Sequence, residues 1–417
     1  MQEPGTGTRR WIWGTGLAAV LGLALLVALW RVPAPRAARQ QQTPTASSWL
    51  AMLAAAPAAS APLPRDAAGL AAYDALWCGR TAPGAALAAS TAEQAMVDAT
   101  SALQADWRAA LSARGDPRSQ GLATLLGAGD SNGEGGTPRL RLAAQAAATQ
   151  DPALIAWSLA ACAPGADCAG LSPRLWAARD AGNLAPWLAE FARAAAAGET
   201  GSLREALYQI GRAQRDDDYG RLALGLLDQA RSTDAPGLRN SAEAVTEMGI
   251  FAAQPLAGWP ALRGHCLAAV AQGDLEEQRL CEVAADAVWR LDDTVTGAAL
   301  AAALARRLPQ ADAALWAQRR RRVDAYLALQ NERFEAYVGQ LAAGRPCEGD
   351  VALRRFVHVL AERGERGALD TLLQGRDVDA LGQAYRAAHP APGAPAAPDV
   401  ARPEAPDRSG AGRPDTP

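Results

Sequence analysis

The chain has 417 residues, of which 41 are basic and 44 acidic, and its net charge is −3. This near balance excludes a bulk electrostatic attraction to nucleic acid, so we predict no nucleic-acid partner. Aromatic residues make up only 5% and Ala is abundant, which favours helices because Ala loses no side-chain entropy there. The chain contains no Lys, which excludes a phosphate-loop lysine, a Schiff-base lysine and a Ser/Lys dyad.

The first predicted element is a transmembrane anchor that runs from Ile12 to Trp30, within an N-terminal segment at 1–31. It contains 19 residues and no charge, and at about 1.5 Å per residue it matches the roughly 30 Å hydrocarbon core of a bilayer. Trp residues at both ends suit the headgroup region. A cleaved signal peptide is the alternative, but the apolar stretch is long for one, so we predict an uncleaved anchor with the lipid bilayer as partner.

The flanking charges leave the direction of the anchor open. Arg9 and Arg10 precede it, whereas Arg31, Arg36 and Arg39 follow it. Counting arginines alone places the large domain in the cytoplasm. However, paired Arg before an N-terminal anchor is typical of an exported domain, and long domains translocate largely regardless of charge. The cysteines therefore have to decide between the two directions.

After the anchor we predict a Pro/Gln/Ala linker at 32–46, a helical domain at 47–388 and a disordered Pro/Ala-rich tail at 389–417, whose composition cannot build a core. The helical domain alternates Ala/Leu segments with Pro and Gly, with a possible loop break at 127–137. The predicted helices are 47–56, 66–77, 85–113, 117–126, 138–149, 152–161, 173–180, 184–197, 202–213, 217–230, 241–253, 259–271, 275–290, 293–307, 310–342, 350–362, 365–374 and 378–388. Their short connections predict an all-α fold of stacked antiparallel helical hairpins, as in an α-solenoid.

The cysteines are even in number, which fits disulfides formed in an oxidising compartment. Cys266 and Cys281 each lie seven residues from the Gly273-Asp274 turn signal, and positions equidistant from a turn face each other in a helical hairpin. We therefore predict a Cys266–Cys281 disulfide and a periplasmic domain; six buried free thiols in a cytosolic protein are the alternative. The other predicted pairs are a loop-closing Cys162–Cys168 and, by elimination, Cys78–Cys347.

One stretch, roughly residues 171–215, resembles a tetratricopeptide-type helical repeat. The turn from Asp180 to Asn183 is similar to the D-P-x-N turn between repeats, and Trp187 takes the tryptophan position of the first helix. The spacing of the second helix is carried, after a three-residue insertion, by Ala206, Ile210 and Ala213. The family's L-G dipeptide is missing and no second copy at a 34-residue period is visible. The resemblance implies a scaffold that binds a peptide or protein; an ordinary hairpin with a buried Trp is the alternative.

The loop at 127–137 contains two imperfect motifs. The G-x-S-x-G pattern around Ser131 is a nucleophile elbow only between a strand and a helix, and here a predicted helix precedes it. Asp130 and Glu134 also resemble the first half of an EF-hand, but Arg141 stands where the bidentate Glu belongs. We therefore predict a surface loop without catalysis or calcium binding.

Further charged features have simple structural interpretations. Asp216, Asp217 and Asp218 suit the start of a helix, with coordination of a divalent metal as the alternative. The four arginines at 319–322 point in different directions on a helix, which predicts a solvated helix. His358 lies between apolar residues, and we predict that it packs in the core. We assign no catalytic residue, no metal ligand and no cofactor.

The leading functional prediction is a non-catalytic, membrane-tethered helical scaffold in the bacterial cell envelope that binds an unknown protein or peptide. The first alternative is a cell-envelope hydrolase that acts through paired carboxylates, because two carboxylates about 5–10 Å apart leave no spacing to find in a sequence. The second alternative is a purely structural spacer.

Overall fold

The computed structural model describes residues 74–75, 77–78, 89–127, 136–161, 170–231, 237–252, 258–342 and 346–389. Within these ranges the fold is all-α, as predicted, and the extended pairing seen there is a single bridge between Asn183 and Arg215. The helices are α1 (Ala89–Ala113), α2 (Pro117–Gly127), α3 (Gly136–Thr149), α4 (Pro152–Ala161), α5 (Pro173–Arg179), α6 (Leu184–Ala197), α7 (Thr200–Arg212), α8 (Gly220–Gln229), α9 (Leu238–Ala252), α10 (Gly258–Gln272), α11 (Leu275–Leu291), α12 (Val295–Ala305), α13 (Ala313–Ala342), α14 (Pro346–Leu373) and α15 (Val378–Ala388).

Several predicted features lie outside the described residues. They are the anchor at 12–30, the linker at 32–46, Ser131 with its loop, Cys162, Cys168 and the tail from residue 390 onward. Across the part of the chain that the structure describes, no helix combines the length and apolar character needed to cross a bilayer.

Local sequence signals set several helix ends. Asn183 accepts a hydrogen bond from the backbone N–H of Ala185 and starts α6, which ends at Gly198 with a left-handed φ of 68°. Side-chain caps of the same kind are provided by Ser172, Asp274, Thr294 and Asp377. These caps satisfy N–H groups that have no partner inside the helix, so the predicted bounds of α6 and α15 agree with the structure.

The buried side chains form three clusters. The largest joins α6, α7 and α10–α13 around Phe191 and Ile210. A second joins α1–α5 with α8 and α9 around Trp107, and a third joins α12–α15 around Tyr326. Trp157, Trp176, Trp289 and Trp316 are buried, whereas Trp187 is only partly buried.

The hairpins α6–α7 and α10–α11 stack on each other, and α7 keeps one register along α11. Arg204 of α7 pairs with Glu276 of α11, 72 residues further on, and Gly211 lies against Val283 at the same separation. The two second helices are therefore parallel. Helix α6 packs against α10, where Gly258 lies against Leu188 at a separation of 70 residues. The sequence carries the same offset, because Leu-Ala-Pro-Trp at 184–187 returns as Leu-Ala-Gly-Trp at 256–259.

Two disulfides connect the described cysteines. Cys266 and Cys281 face each other across the α10–α11 hairpin with Cα atoms 5.7 Å apart, in the arrangement that their spacing about the turn predicts. Cys78 is bonded to Cys347 at the start of α14, across a sequence separation of 269, with Cα atoms 5.0 Å apart. Both distances lie within the range that a disulfide requires.

Helix α14 is kinked at Gly364, whose φ of 70° and ψ of 173° are not helical. The sequence predicts two helices that are separated here, at 350–362 and 365–374, and the structure confirms the break, because two helical segments meet at this non-helical residue. A Cβ atom on Gly364 would lie 2.1 Å from Oδ2 of Asp293, so the kink brings the backbone of α14 directly against a carboxylate of the α11–α12 turn.

Candidate functional site

Six carboxyl groups meet where the start of α8, the α11–α12 turn and the kink of α14 come together. We call this cluster the acid junction, and it consists of Asp216, Asp217, Asp218, Asp292, Asp293 and Glu365. Asp292 is 4% exposed, and the other five side chains are partly buried. Three segments that are far apart in the sequence thus place their acidic residues in one region of the fold.

The start of α8 is positioned by hydrogen bonds from backbone N–H groups to its acidic residues. Tyr219 has a left-handed φ of 65°, and its N–H donates to Oδ1 of Asp217 at 2.8 Å. The N–H of Gly220 donates to Oδ1 of Asp218, also at 2.8 Å. Asn183 holds the segment from outside, because its amide donates to the carbonyl of Asp217 and accepts from the N–H of the same residue. Asp217 and Asp218 therefore hold the entry to α8, although the helix begins at Gly220 and not at the predicted residue 217.

The α11–α12 turn is held by its own cap and by α14. Asp292 accepts hydrogen bonds at 2.7 Å from both the N–H and the hydroxyl of Thr294. Glu365 accepts at 2.6 Å from the N–H of Val295. Arg366 donates from its guanidinium to the carbonyls of Trp289 and Asp292, at 2.5 and 2.8 Å. The guanidinium of Arg366 thus hydrogen-bonds to neutral carbonyls of the turn.

Burial shifts these carboxyls toward the neutral form. It raises the pKa of Asp292 to about 7, although the hydrogen bonds from Thr294 act in the opposite direction. It raises the pKa of Asp218 to about 6 and the pKa of Glu365 to about 7. Burial, followed by the negative charge of Asp292, holds the pKa of Asp216 well above its usual range. Repulsion between like charges adds to desolvation at such sites.

Asp293 has a cationic neighbour that partly offsets this effect. Its Oδ2 lies 3.4 Å from Nε of Arg221, a residue of α8. Burial still raises the pKa of Asp293, while the charges of Arg221 and Arg366 act against that rise. The Arg221–Asp293 ion pair also connects α8 to the α11–α12 turn across the junction.

A groove of about 340 Å³ opens beside the acid junction, between α8 and α14. Its lining combines polar and apolar side chains, namely Asp217, Arg221, Leu222, Gly225, Leu226, Gln229, Ala361 and Glu362. Close to this groove, His358 lies 3.3 Å from Glu362 and 3.6 Å from Asp228. The prediction that His358 packs in the core is wrong, because its side chain is 52% exposed.

The predicted solvated face around residues 319–322 is also only partly correct. The guanidinium of Arg319 stacks at 4.3 Å from the ring of Trp316, and its side chain is 13% exposed. Arg322 pairs with Asp370 of α14 at 2.8 Å. These arginines therefore join α13 to its neighbours.

The residues of the predicted repeat lie mainly in the largest core. Trp187 packs against that core as a partly buried side chain, and Ala206, Ile210 and Ala213 are buried within it. Asn183 has two roles, because it caps α6 and also hydrogen-bonds to the segment before α8. The carboxyls of the α11–α12 turn and of the kink were not singled out from the sequence. The Asp doublet at 292–293, beside a predicted helix start, is the signal that could have indicated the carboxyls of the turn.

The chemistry open to the acid junction is proton exchange near neutral pH. Carboxyls with a pKa of about 6 to 7 can act as general acids at that pH. In the described part of the chain, no three His, Cys, Asp or Glu side chains are arranged to hold a metal ion. The chain matches no protein-family model, no curated protein and no solved structure.

Proposed function

We propose that the chain is a non-catalytic helical scaffold of the bacterial cell envelope that binds a protein or peptide, and that residues 12–30 tether it to the inner membrane. The observation that carries this proposal is the packing of hairpin α6–α7 on hairpin α10–α11, in which α7 runs parallel to α11 at an offset of 72 residues. Stacked hairpins in parallel register are the architecture of helical-repeat proteins, which use their extended surfaces for binding. The tetratricopeptide-type resemblance of the first hairpin supports the same interpretation.

The α7–α11 face, formed by the exposed side chains of these two parallel helices, is the proposed binding surface. It exposes the apolar residues Tyr208, Leu275 and Val283, at 45%, 58% and 52%. Arg212 stacks over the ring of Tyr208 at 5.4 Å. Aromatic and Arg side chains on an exposed face are the groups that most often carry binding energy in protein interfaces.

The disulfides support an oxidising location for the helical domain. Structural disulfides persist in the periplasm, whereas the cytosol keeps thiols reduced. We infer that the anchor delivers the domain to the periplasm, in agreement with the prediction from the Cys266–Cys281 spacing. Thiol labelling of intact cells with and without reductant tests this location. Cysteines that react without reductant, and only after the inner membrane is broken, would exclude it.

A photo-crosslinking amino acid at position 208 or 283, in the full-length protein in cells, tests the binding function. We expect a discrete crosslinked product at both positions, because both lie on the α7–α11 face. Position 263 is the matched control, since Arg263 is exposed on α10 and away from that face. Absence of a product at 208 and 283, or an equal product at 263, would count against this surface.

A hydrolase that acts through paired carboxylates is the second candidate, and the acid junction beside its groove is the observation that favours it. One carboxyl held neutral by burial supplies a general acid, and an ionised neighbour supplies a base or nucleophile. Release of reducing ends from purified cell-wall glycan is the appropriate assay. If the protein is such a hydrolase, Asp218→Asn and Asp292→Asn should each abolish the activity. Absence of activity in the unmodified protein, or equal activity in the variants, would contradict this second candidate.

A further inference from the structure

The acid junction joins segments that pack in different parts of the domain. The start of α8 belongs to the second core cluster, whereas the α11–α12 turn belongs to the first and third clusters. Arg354 of α14, ahead of the kink, pairs with Glu243 of α9, and Leu369, after the kink, packs with Tyr326 of α13. The junction therefore lies where the three core clusters meet. Its charge state affects the packing between them.

Few cations lie near the junction to balance the charge of its six carboxyls. Arg221 is paired with Asp293, and Arg366 hydrogen-bonds to backbone carbonyls of the turn. Asp180, on the neighbouring α5–α6 turn, is paired with Arg215 and accepts from the hydroxyl of Tyr219. The charged or titratable groups that face the junction from the elements around it are Asp180, Arg215, Tyr219, Arg221, Glu362 and Arg366.

Two residues at the junction have a backbone φ in the left-handed region. Tyr219 and Gly364 both have left-handed φ values, of 65° and 70°. A non-glycine residue in this region persists only where neighbouring contacts hold it, and here those contacts are hydrogen bonds to Asp217 and Asp218. Loss of the packing at the junction would therefore free the entry to α8 and the kink of α14 together.

We propose that the acid junction is a pH-sensitive latch, closed while its buried carboxyls are protonated and loosened when they ionise. In the closed state, Asp293 is paired with Arg221 and lies against Gly364, and the neutral carboxyl of Asp292 lies against Gly297. Ionisation places further negative charges in a region whose arginines are already engaged, Arg215 with Asp180, Arg221 with Asp293 and Arg366 with backbone carbonyls. The start of α8 then separates from the α11–α12 turn, and the groove between α8 and α14 widens.

The direction of the effect follows from proton binding. Burial raises the pKa of Asp218 to about 6 and that of Asp292 to about 7, so the closed junction binds more protons than the open one between about pH 4 and pH 7. The stability of the closed state is therefore greatest at the acidic end of this range. This stability is lost as the pH rises through the pKa values that Asp218 and Asp292 have in the closed state.

Hydrogen exchange measured by mass spectrometry on the full-length protein, in detergent and with its disulfides intact, tests the latch. Exchange is compared at about pH 5.5 and about pH 8 after correction for intrinsic rates. Peptides covering 216–222, 292–297 and 362–367 should lose protection by at least about tenfold at the higher pH, because one pKa unit corresponds to a tenfold change. Unchanged protection in these peptides, or an equal loss throughout the domain, would overturn the proposal.

The double variant Asp218→Asn with Asp292→Asn keeps Oδ1 as the acceptor for Gly220 and Thr294 but removes two ionisable groups. It should stay protected at both pH values. Asp106→Asn is the control, because Asp106 of α1 is paired with Arg239 of α9 outside the junction, and it should behave as the unmodified protein. A double variant that keeps the full pH dependence contradicts the latch. If that variant does not fold, Asp218→Asn alone must reduce the tenfold change by severalfold.

Discussion

Glu190 and Asp292 are both almost completely buried, at 0% and 4% exposure, but their pKa values are shifted in opposite directions. Burial favours the neutral acid at both sites. At Glu190, hydrogen bonds from Arg193 and Arg174, each at 2.7 Å, outweigh burial and lower the pKa. At Asp292 the hydrogen bonds come from the neutral Thr294, and burial dominates. Two hydrogen-bonded arginines thus keep Glu190 in its ionised form, whereas the neutral partner of Asp292 does not offset its burial.

The largest expected effect comes from breaking the junction sterically with Gly364→Ala. The added Cβ would meet the Asp293 carboxylate, and the φ of 70° with ψ of 173° is unfavourable for Ala. We expect the free energy of unfolding to fall by about 3–5 kcal/mol. Urea denaturation followed by circular dichroism measures this. Gly225→Ala on α8, where a Cβ meets open space, should instead raise stability by about 0.5–1 kcal/mol. Equal effects of the two changes would contradict this account of the kink.

Removing the cation at the paired site should make Glu190 resemble Asp292. In Arg193→Met, Glu190 keeps only Arg174, and we expect a loss of about 2–3 kcal/mol at pH 8. The loss should shrink on acidification, because a protonated Glu190 no longer needs the pair. Denaturation at two pH values measures it, with the exposed Arg179→Met on α5 as the control. A loss that is independent of pH would show that Arg193 acts through packing instead.

Glu247 is a single buried carboxyl that separates burial from like-charge repulsion. It is 3% exposed, and burial raises its pKa to about 7, while the charge of Arg231 acts against this rise. Because the folded pKa is raised, the associated stability is lost as pH increases toward 7. We expect Glu247→Gln to gain about 2 kcal/mol at pH 8 and almost nothing near pH 4. Thermal unfolding across this range is the measurement, and a gain that does not grow with pH would refute it.

The smallest effect is expected at the surface, where water can solvate each charge after the ion pair is broken. Glu332 pairs with Arg376 at 2.8 and 2.9 Å, and the two side chains are 49% and 39% exposed. We expect Glu332→Gln to cost less than about 1 kcal/mol. A double-mutant cycle with Arg376→Gln gives the pair energy, and a value comparable to that of the Glu190 site would remove the distinction between buried and exposed pairs.

The sequence was informative where structure depends on neighbours along the chain. The cap at Asn183 fixed the start of α6, and symmetric spacing about Gly273 predicted the contact between Cys266 and Cys281. His358 was misplaced because its immediate neighbours are apolar, whereas neighbours in a helix point about 100° away from each other. Val357 is buried beside it while His358 faces Asp228.

The acid junction was beyond the reach of such reasoning. Asp218, Asp292 and Glu365 are brought together by helix packing and not by any local spacing. Their shifted pKa values depend on burial and on the identity of the groups around them, which only the fold defines. The 72-residue offset between the stacked hairpins was missed for a related reason. The helices α8 and α9 lie between the two hairpins, so the period differs from that of a simple repeat.

The bond between Cys78 and Cys347 closes most of the domain into a covalent ring. Tension applied at the N-terminal side of Cys78 and resisted beyond Cys347 would pass directly through the two sulfurs. The helices from α1 to α13 would carry none of that load and could not be peeled away in sequence. Only α14, α15 and the segments outside the ring would be stretched, so the mechanical length of the domain is far shorter than its chain length.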